Sequence, residues 1–436
     1  MDINKKIKVV WIANFSNSEV REHIAYRTHL IEKLLKKLTG RSAILPSDRG
    51  QWVTNGIKEF ESFDDIELHV IAPVMKLSKR QVSFEIRGVH YIFFRDESGS
   101  FVEFIKRNLN PNHCCKYEKN SRSIVRFVMD IVPDIVHVIG AENPQYSLSL
   151  LGIPSTIPTI VQLQTLLASP FFKDGYTISN LLFQKRLKCE REVIRRADYV
   201  GTSSIKFLPI IKTVIKSDVI ALTMPLALAE QINIQQEEKE FDVIYFAKDI
   251  NKAADWAIET FCRASLVHKG LTMHVIGGYT KNYREMLEHR LQQFSIKDKV
   301  VFEGELSTHN DVIRQVRKAR VALLPLKVDL VSGTIREAMC NGIPVVSTVT
   351  SGTPVLNRNR ESILLSEKED FEGMSTNLIR IIEDQDFAET LINNAAKTMY
   401  ERTDNYTRMR TSVAVYSACI DHFRNKTPIP SKFLKY

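Results

Sequence analysis

The stretch Asp329–Thr348, DLVSGTIREAMCNGIPVVST, limits the fold more than any other part of the chain. An apolar run, VALLPL at 321–326, precedes it, and a second, IPVV at 343–346, closes it. Between them lie the small-residue turn Ser332-Gly333-Thr334 and one short helix, for which Gly342 is the stop signal. The order is therefore strand, turn, helix, strand. Such a turn leaves backbone N–H groups free at the start of a helix, and that end attracts anions. Thr334 and Glu337 also have capping-box spacing, which gives the glutamate a purely structural reading.

The same alternation runs through the whole chain. Apolar runs that read as buried strands lie at Lys8–Phe15, Ile66–Ala72, Ile135–Ile139, Thr159–Leu163 and Tyr199–Thr202, the last strand expected in the first half. Val82–Ile86 and Val89–Phe94 read as a hairpin around Arg87-Gly88. In the second half the strands are Phe241–Phe246, Thr272–Ile276, Val300–Phe302, 321–326 and Ser362–Leu365. Helical spacing falls at Glu19–Leu38, Ser179–Arg196, Ala253–Leu266, Tyr283–Phe294, Asp311–Lys318, Phe371–Arg402 and Asn405–Asn425. Strands alternating with helices argue for two parallel α/β domains. The polar stretch at 230–240 marks their boundary. The expected division is 1–225, 226–405 and a C-terminal helix at 406–436. In such folds ligands lie outside the carboxyl ends of strands, at the loops after Phe15, Ile139, Phe246, Ile276, Phe302 and Leu326.

Charge narrows the partners. The net charge of +9 sits entirely in residues 1–225, where 32 Lys+Arg meet 23 Asp+Glu; the remaining 28 and 28 cancel. A basic half suits a phosphorylated acceptor or an anionic membrane surface. No aromatic-rich RNA motif or recognition-helix pattern accompanies it, so no nucleic-acid partner is expected. No apolar run nears the roughly 20 residues that span a bilayer. The start, MDINKKIKVVWIANF, lacks a cleavage pattern, so a cytoplasmic protein is expected, at the inner membrane face if the basic half binds lipid. The cysteines form no CxxC, and His113-Cys114-Cys115 has no partner pair, so no metal is expected. Asp384-Gln385-Asp386 reads as solvated helix surface and His137 as a core histidine.

The loops also exclude several chemistries. There is no GxGxxG after the first strand, no P-loop and no GxSxG elbow. What remains is friendly to phosphate: Lys248 and Lys252 follow the strand ending at Phe246. On the first half, Asn14 and Ser16 follow the first strand, and Glu142 and Asn143 lie at the carboxyl end of Ile135–Ile139. These four are the acceptor-side candidates.

Five features in this order resemble the retaining glycosyltransferases of family 4, which have the GT-B fold. They are the Lys248/Lys252 loop, Val275-Ile276-Gly277-Gly278, the segment 301–306 (VFEGEL), the pair Asp329 and Glu337, and the segment 337–346 (EAMCNGIPVV), close to the family's EAMxxGxPVV. The likeness is strong over Phe241–Leu365. It is weaker in the first half, through 14–21, 133–140 and Gln164. It implies two facing Rossmann-like domains with the C-terminal helix crossing back to the first. It implies a nucleotide-sugar donor on the second domain, with a UDP-sugar expected, and a glycan or lipid-linked acceptor on the first, as in polysaccharide biosynthesis. Transfer would occur in the cleft with retained configuration, and without cofactor or metal. By that resemblance Lys248 and Lys252 hold the diphosphate, Asp329 the sugar hydroxyls and Glu337 the ribose. Ser332, Gly333 and Thr334 offer N–H groups to the phosphates, and Gly277 and Gly278 allow close approach. Phe302 and Leu306 lie on the donor side, Leu306 beside the base. The chain departs from the family pattern at Asp329, where a glutamate is usual, at Lys248, where an arginine is usual, and in lacking a glycine pair after the first strand. Two other readings stay open: a catalytically silent nucleotide-sugar-binding partner subunit, or a GT-B nucleotide-sugar epimerase or hydrolase.

Overall fold

In a computed structural model of the protein the described residues are 6–27, 48–110, 113, 115–163, 165–169, 180–202, 207–227, 232–235, 237–247, 253–327, 332–350, 352–402 and 404–434. Lys248, Lys252, Asp329, Gln164 and Cys114 lie outside them. The chain divides into two units, Met1–Ala227 with Asn405–Tyr436, and Leu228–Asp404.

The apolar runs of the first unit become an eight-stranded sheet. Its strands are β1 Ile7–Ile12, β2 Ile66–Val74, β3 Gln81–Ile86, β4 Val89–Arg95, β5 Ile135–Ile139, β6 Thr159–Gln162, β7 Tyr199–Thr202 and β8 Ile220–Thr223. They run in the order β3-β4-β2-β1-β5-β6-β7-β8. Only β3 and β4 pair antiparallel. Arg87 and Gly88 close that hairpin with φ of 44° and 78°, the positive dihedrals that a tight two-residue turn requires. The C-terminal helix Asn405–Asn425 buries Met409, Val413, Tyr416 and Cys419 in this unit's core. It is held by a polar relay: the Trp11 indole N–H donates to Tyr416 Oη at 2.9 Å, and the Tyr416 hydroxyl donates to His137 Nδ1 at 2.7 Å. Burial pushes His137 down to about 3, so its ring is neutral and structural.

The second unit holds β9 Phe241–Phe246, β10 Met273–Ile276, β11 Val300–Gly304, β12 Ala319–Leu323, β13 Val345–Thr348 and β14 Leu364–Ser366. The order is β11-β10-β9-β12-β13-β14, all parallel. Counted from β9 this is 3-2-1-4-5-6, the doubly wound order. The winding order reverses between β9 and β12, and in doubly wound sheets the ligand crevice lies at the carboxyl ends of the two strands at such a switch point.

Some sequence expectations are corrected. Within Glu19–Leu38 the described helix covers only Ser18–Glu22, capped by Asn17 accepting the Val20 N–H at 2.9 Å. The chain then turns at His23, and Tyr26 bridges to Leu77; residues 28–47 lie outside the described set. Tyr199–Thr202 is not the last strand, because the four-residue β8 pairs beyond it. So short a strand gives little periodic signal. Phe371–Arg402 is two helices, Phe371–Glu383 and Gln385–Arg402. Asp384 takes extended dihedrals between them and caps the second by accepting the Phe387 N–H at 2.9 Å.

Candidate functional site

The second unit's strand ends are drawn together by glycine. Gly277 N–H donates to Gly304 O at 2.9 Å, and Ala247 N–H donates to Ile276 O at 3.1 Å. These bonds join the exits of β9, β10 and β11. A Cβ on Gly277 would lie 2.3 Å from Ala247 O, so no side chain fits between the strand exits. Gly278 follows, with the Glu305 carboxylate 3.2 Å from where its Cβ would be. Phe302 lies partly buried on β11 with the Arg284 guanidinium 5.1 Å above its ring, and Leu306 packs against the same core.

Across the crevice, the exit of β12 is tied to β13. Leu326 N–H donates to Thr348 Oγ1 at 2.8 Å, and Ser347 Oγ donates to Leu324 O at 2.7 Å. The helix Gly333–Cys340 begins next. The capping box is not formed: Ser332, not Thr334, is the N-cap, and its hydroxyl bonds to Thr334 Oγ1 at 2.7 Å instead of capping a backbone N–H. Thr334 already lies inside the helix, two residues past the N-cap position. The leading N–H groups of a helix carry partial positive charge. Glu337 projects back toward that end, its Oε1 3.7 Å from a Cβ position on Gly333. Among the described residues its carboxylate has no hydrogen-bond or ion-pair partner. Gly342, at φ 72°, then ends the helix, and Ile343 N–H returns to Ala338 O at 3.0 Å.

A contact that sequence reasoning missed spans the crevice. Lys327, one residue beyond the apolar run, reaches Asp255 Oδ2 at 2.8 Å in the first turn of helix Ala254–Val267. Its ammonium also lies 5.1 Å from the Trp256 ring centroid. Tyr283 Oη accepts the Asp255 N–H at 3.2 Å and lies 3.3 Å from Asp255 Oδ1. Lys327, beyond β12, is thus locked to the start of helix Ala254–Val267.

In the first unit the neighbours β1 and β5 bring their loops together: Asn14 Nδ2 donates to Gln145 Oε1 at 3.3 Å. Ser16 is buried apart from this, bonded to Arg49 through the backbone and to Arg21 Nη1 at 3.1 Å. Glu142 is 4% exposed. Its Oε1 accepts from Asn143 Nδ2 at 2.9 Å and Arg186 Nη2 at 3.3 Å, while the buried Oε2 has no partner among the described residues. Helix Asn180–Arg196, expected from its spacing alone, supplies Arg186 and the fully buried Glu190. The Glu190 carboxylate accepts the N–H groups of Leu167 and Ala168 at 2.7 and 2.8 Å. Burial nevertheless pushes it up to about 8.

Residues 229–398 match the family glycosyl transferases group 1. Over those residues the chain is similar to that family, and its two largely parallel sheets match the GT-B fold. A curated relative, an uncharacterized glycosyltransferase of Methanocaldococcus jannaschii, is 26% identical over 148 residues. That match covers 34% of this chain and 37% of the relative, so the chain spans well under two thirds of the relative's length. Among solved structures, sucrose-phosphate synthase from Thermosynechococcus elongatus superposes with a TM-score of 0.64 at 14% identity, covering 94% of this chain and 98% of that one. HepE of Anabaena, in complex with UDP and glucose, gives 0.62 at 14% identity, covering 94% and 99%. A glycosyltransferase from Rickettsia africae gives 0.58 at 12% identity, covering 97% and 100%.

The sequence-derived candidates fall into distinct places. Gly277 and Gly278 lie at the β10 exit. Ser332, Gly333, Thr334 and Glu337 cluster at one helix start. Phe302 and Leu306 pack along β11 and beyond. Asn14, Glu142 and Asn143 gather at the β1 and β5 exits, and Ser16 belongs to a separate contact with Arg21 and Arg49. Lys327, Asp255, Tyr283, Arg186 and Glu190 join these only through tertiary pairing. Lys327 had one sequence signal, its position right after the β12 run; the others had none beyond residue type.

Proposed function

We propose that the protein is a retaining, metal-independent glycosyltransferase that moves a sugar from a UDP-sugar to a glycan or lipid-linked acceptor. The observation that carries this is the second unit's 3-2-1-4-5-6 sheet, with its glycine-closed strand exits at β9–β11 and, after β12, a helix start bearing Glu337, which has no partner among the described residues. Support also comes from relatives: HepE was solved with UDP-glucose, and a pneumococcal O-GlcNAc transferase with UDP and GlcNAc. In this reading the N–H groups at Gly333 and Thr334, with Lys248 and Lys252, stabilise the charge that builds on the departing diphosphate. Glu337 accepts hydroxyl protons of the ribose, and Asp329 those of the donor sugar. The bond from the sugar to the diphosphate breaks, the acceptor oxygen takes the sugar, and the acceptor's hydroxyl proton passes to the departing diphosphate oxygen. The acceptor loops are those of Asn14, Glu142 and Asn143, where the bare Glu142 Oε2 is suited to an incoming hydroxyl.

Within the same proposal, the excess positive charge of residues 1–225 favours an acceptor bearing phosphate at an anionic membrane face. No helix among the described residues is long and apolar enough to cross a membrane. The test compares wild type, Lys252→Ala and Glu337→Ala for UDP-induced thermal stabilisation and for donor turnover. Ligand at about 100 times Kd adds about 2.7 kcal/mol of apparent stability; wild type should show such a gain and both variants should lose most of it. Equal stabilisation and turnover in all three would refute the site. Stabilisation without any turnover would instead favour the silent partner subunit, and interconversion of the sugar without transfer an epimerase.

A further inference from the structure

Away from these loops, the edge of the first unit's sheet gathers a set of metal-binding side chains. Glu67 and His69 are two residues apart on β2 and so share one face. Register places His90 of β4 beside His69, and Glu85 of β3 beside His90. The four side chains therefore stand on a common face, on strands whose backbone is fixed by ladder hydrogen bonds. His69 Nε2 lies 2.7 Å from Glu67 Oε1, and the His69 and His90 rings stack at 4.6 Å. One donor atom each from Glu67, His69 and His90 lies within 4.8 Å of the others. Glu85 Oε2 meets His90 Nδ1 at 3.2 Å. With Nδ1 held by the carboxylate, Nε2 of His90 is the other ring donor, the arrangement by which a carboxylate orients a ligating imidazole.

We propose that Glu67, His69 and His90 form a site for one divalent transition ion of the zinc class, with Glu85 orienting His90. Two imidazoles and a carboxylate suit zinc, cobalt or nickel, leaving a fourth position for water. Ion–ligand bonds of about 2.0–2.2 Å hold donors at most about 4.4 Å apart, so these half-exposed side chains draw in slightly on binding. Lys8 opposes the ion, its ammonium 3.3 Å from Glu67, but it has a second partner in the carbonyl of Ile131 at 3.5 Å. An ion here joins β2 to the β3–β4 hairpin, and so staples the exposed edge of the sheet. This role is independent of sugar transfer.

The experiment titrates the full chain, first stripped with chelator, with zinc chloride and separately with cobalt(II). Wild type should bind one equivalent, melt at higher temperature with zinc, and give an intense visible cobalt absorption. His90→Ala and His69→Ala should each weaken zinc binding by more than about 100-fold, beyond the roughly 10–100-fold that loss of an outer-shell partner costs. Both variants keep their strand positions, and circular dichroism with UDP binding checks that they fold. Glu85→Gln should weaken binding less than either. The proposal is overturned if wild type binds no stoichiometric ion, or if folded His90→Ala binds as wild type does. It is also overturned by a thiolate-to-cobalt charge-transfer band, which would put the ion at a cysteine, as in the group of Cys115, Glu97 and Glu103 among the described residues.

Discussion

Replacing Gly277 by alanine tests whether the β9 and β10 exits are as close as the structure has them. The added Cβ would lie 2.3 Å from Ala247 O and 2.9 Å from Tyr279 Oη, with the residue at φ 158°. Ordinary contact begins at 3.4 Å, so the strand exits must part by about 1 Å in a close-packed interior. The obstructing atom is backbone and cannot swing aside. Forced backbone shifts cost about 1–3 kcal/mol, and an unfavourable dihedral adds about 1–3 kcal/mol, so we expect a loss of about 3 kcal/mol or more. For a unit of this size that lowers Tm by roughly 6–12 °C. UDP-induced stabilisation should fall as well, because the same exits line the proposed donor crevice. Gly278→Ala is the internal control. Its Cβ meets only the end of the flexible Glu305 side chain, at 3.2 Å, and should cost under about 1 kcal/mol. Differential scanning calorimetry of both variants with and without UDP decides the matter. If Gly277→Ala melts within about 2 °C of wild type, or if Gly278→Ala is the more damaging change, the reasoning is wrong.

Tyr416→Phe leaves the Trp11 N–H and His137 Nδ1 buried without their shared hydroxyl, and each orphan costs about 1–3 kcal/mol; urea denaturation should show a loss of about 2–4 kcal/mol, and a change below about 0.5 kcal/mol would remove the relay as a structural tie. Lys327→Met breaks an ion pair whose side chains are 33% and 31% exposed, so stability should change by less than about 1 kcal/mol while UDP affinity drops; unchanged affinity would mean the crevice does not need this lock. For Glu190 the folded carboxyl titrates near 8, above its ordinary 4.5. The folded state then holds a proton that the unfolded state has lost, and stability from this group falls as pH rises from 4.5 toward 8 and levels off beyond. Melting wild type and Glu190→Gln across that window should show wild type losing ground to the variant as pH rises, and a constant difference would show the group is ionised throughout.

Much of the second unit was legible in the sequence because its determinants are local. The continuous apolar runs of β9, β10, β12 and β13 are what a strand covered on both faces requires. Gly342 marks the helix end because a left-handed dihedral follows the last turn there. Even so, spacing misled at Thr334: a three-residue interval fits a capping box, but the turn geometry starts the helix two residues earlier. It misled again at Phe371–Arg402, where apolar spacing continues past Asp384 although the backbone breaks. The group 1 segment 337–346 was readable for the same local reason, as it is one helix end and one strand in succession.

The sequence by itself therefore determined the α/β class, the alternation of elements, the helix stop at Gly342 and the segment that marks the family. Only the tertiary structure decided that Lys327 meets Asp255, that Glu190 and Arg186 stand beside Glu142, and that His69 and His90 stack. The physical reason is range. Periodicity and turn chemistry act over a few residues, whereas these meetings depend on strand order and register, which are fixed by burying whole faces between segments far apart in the chain.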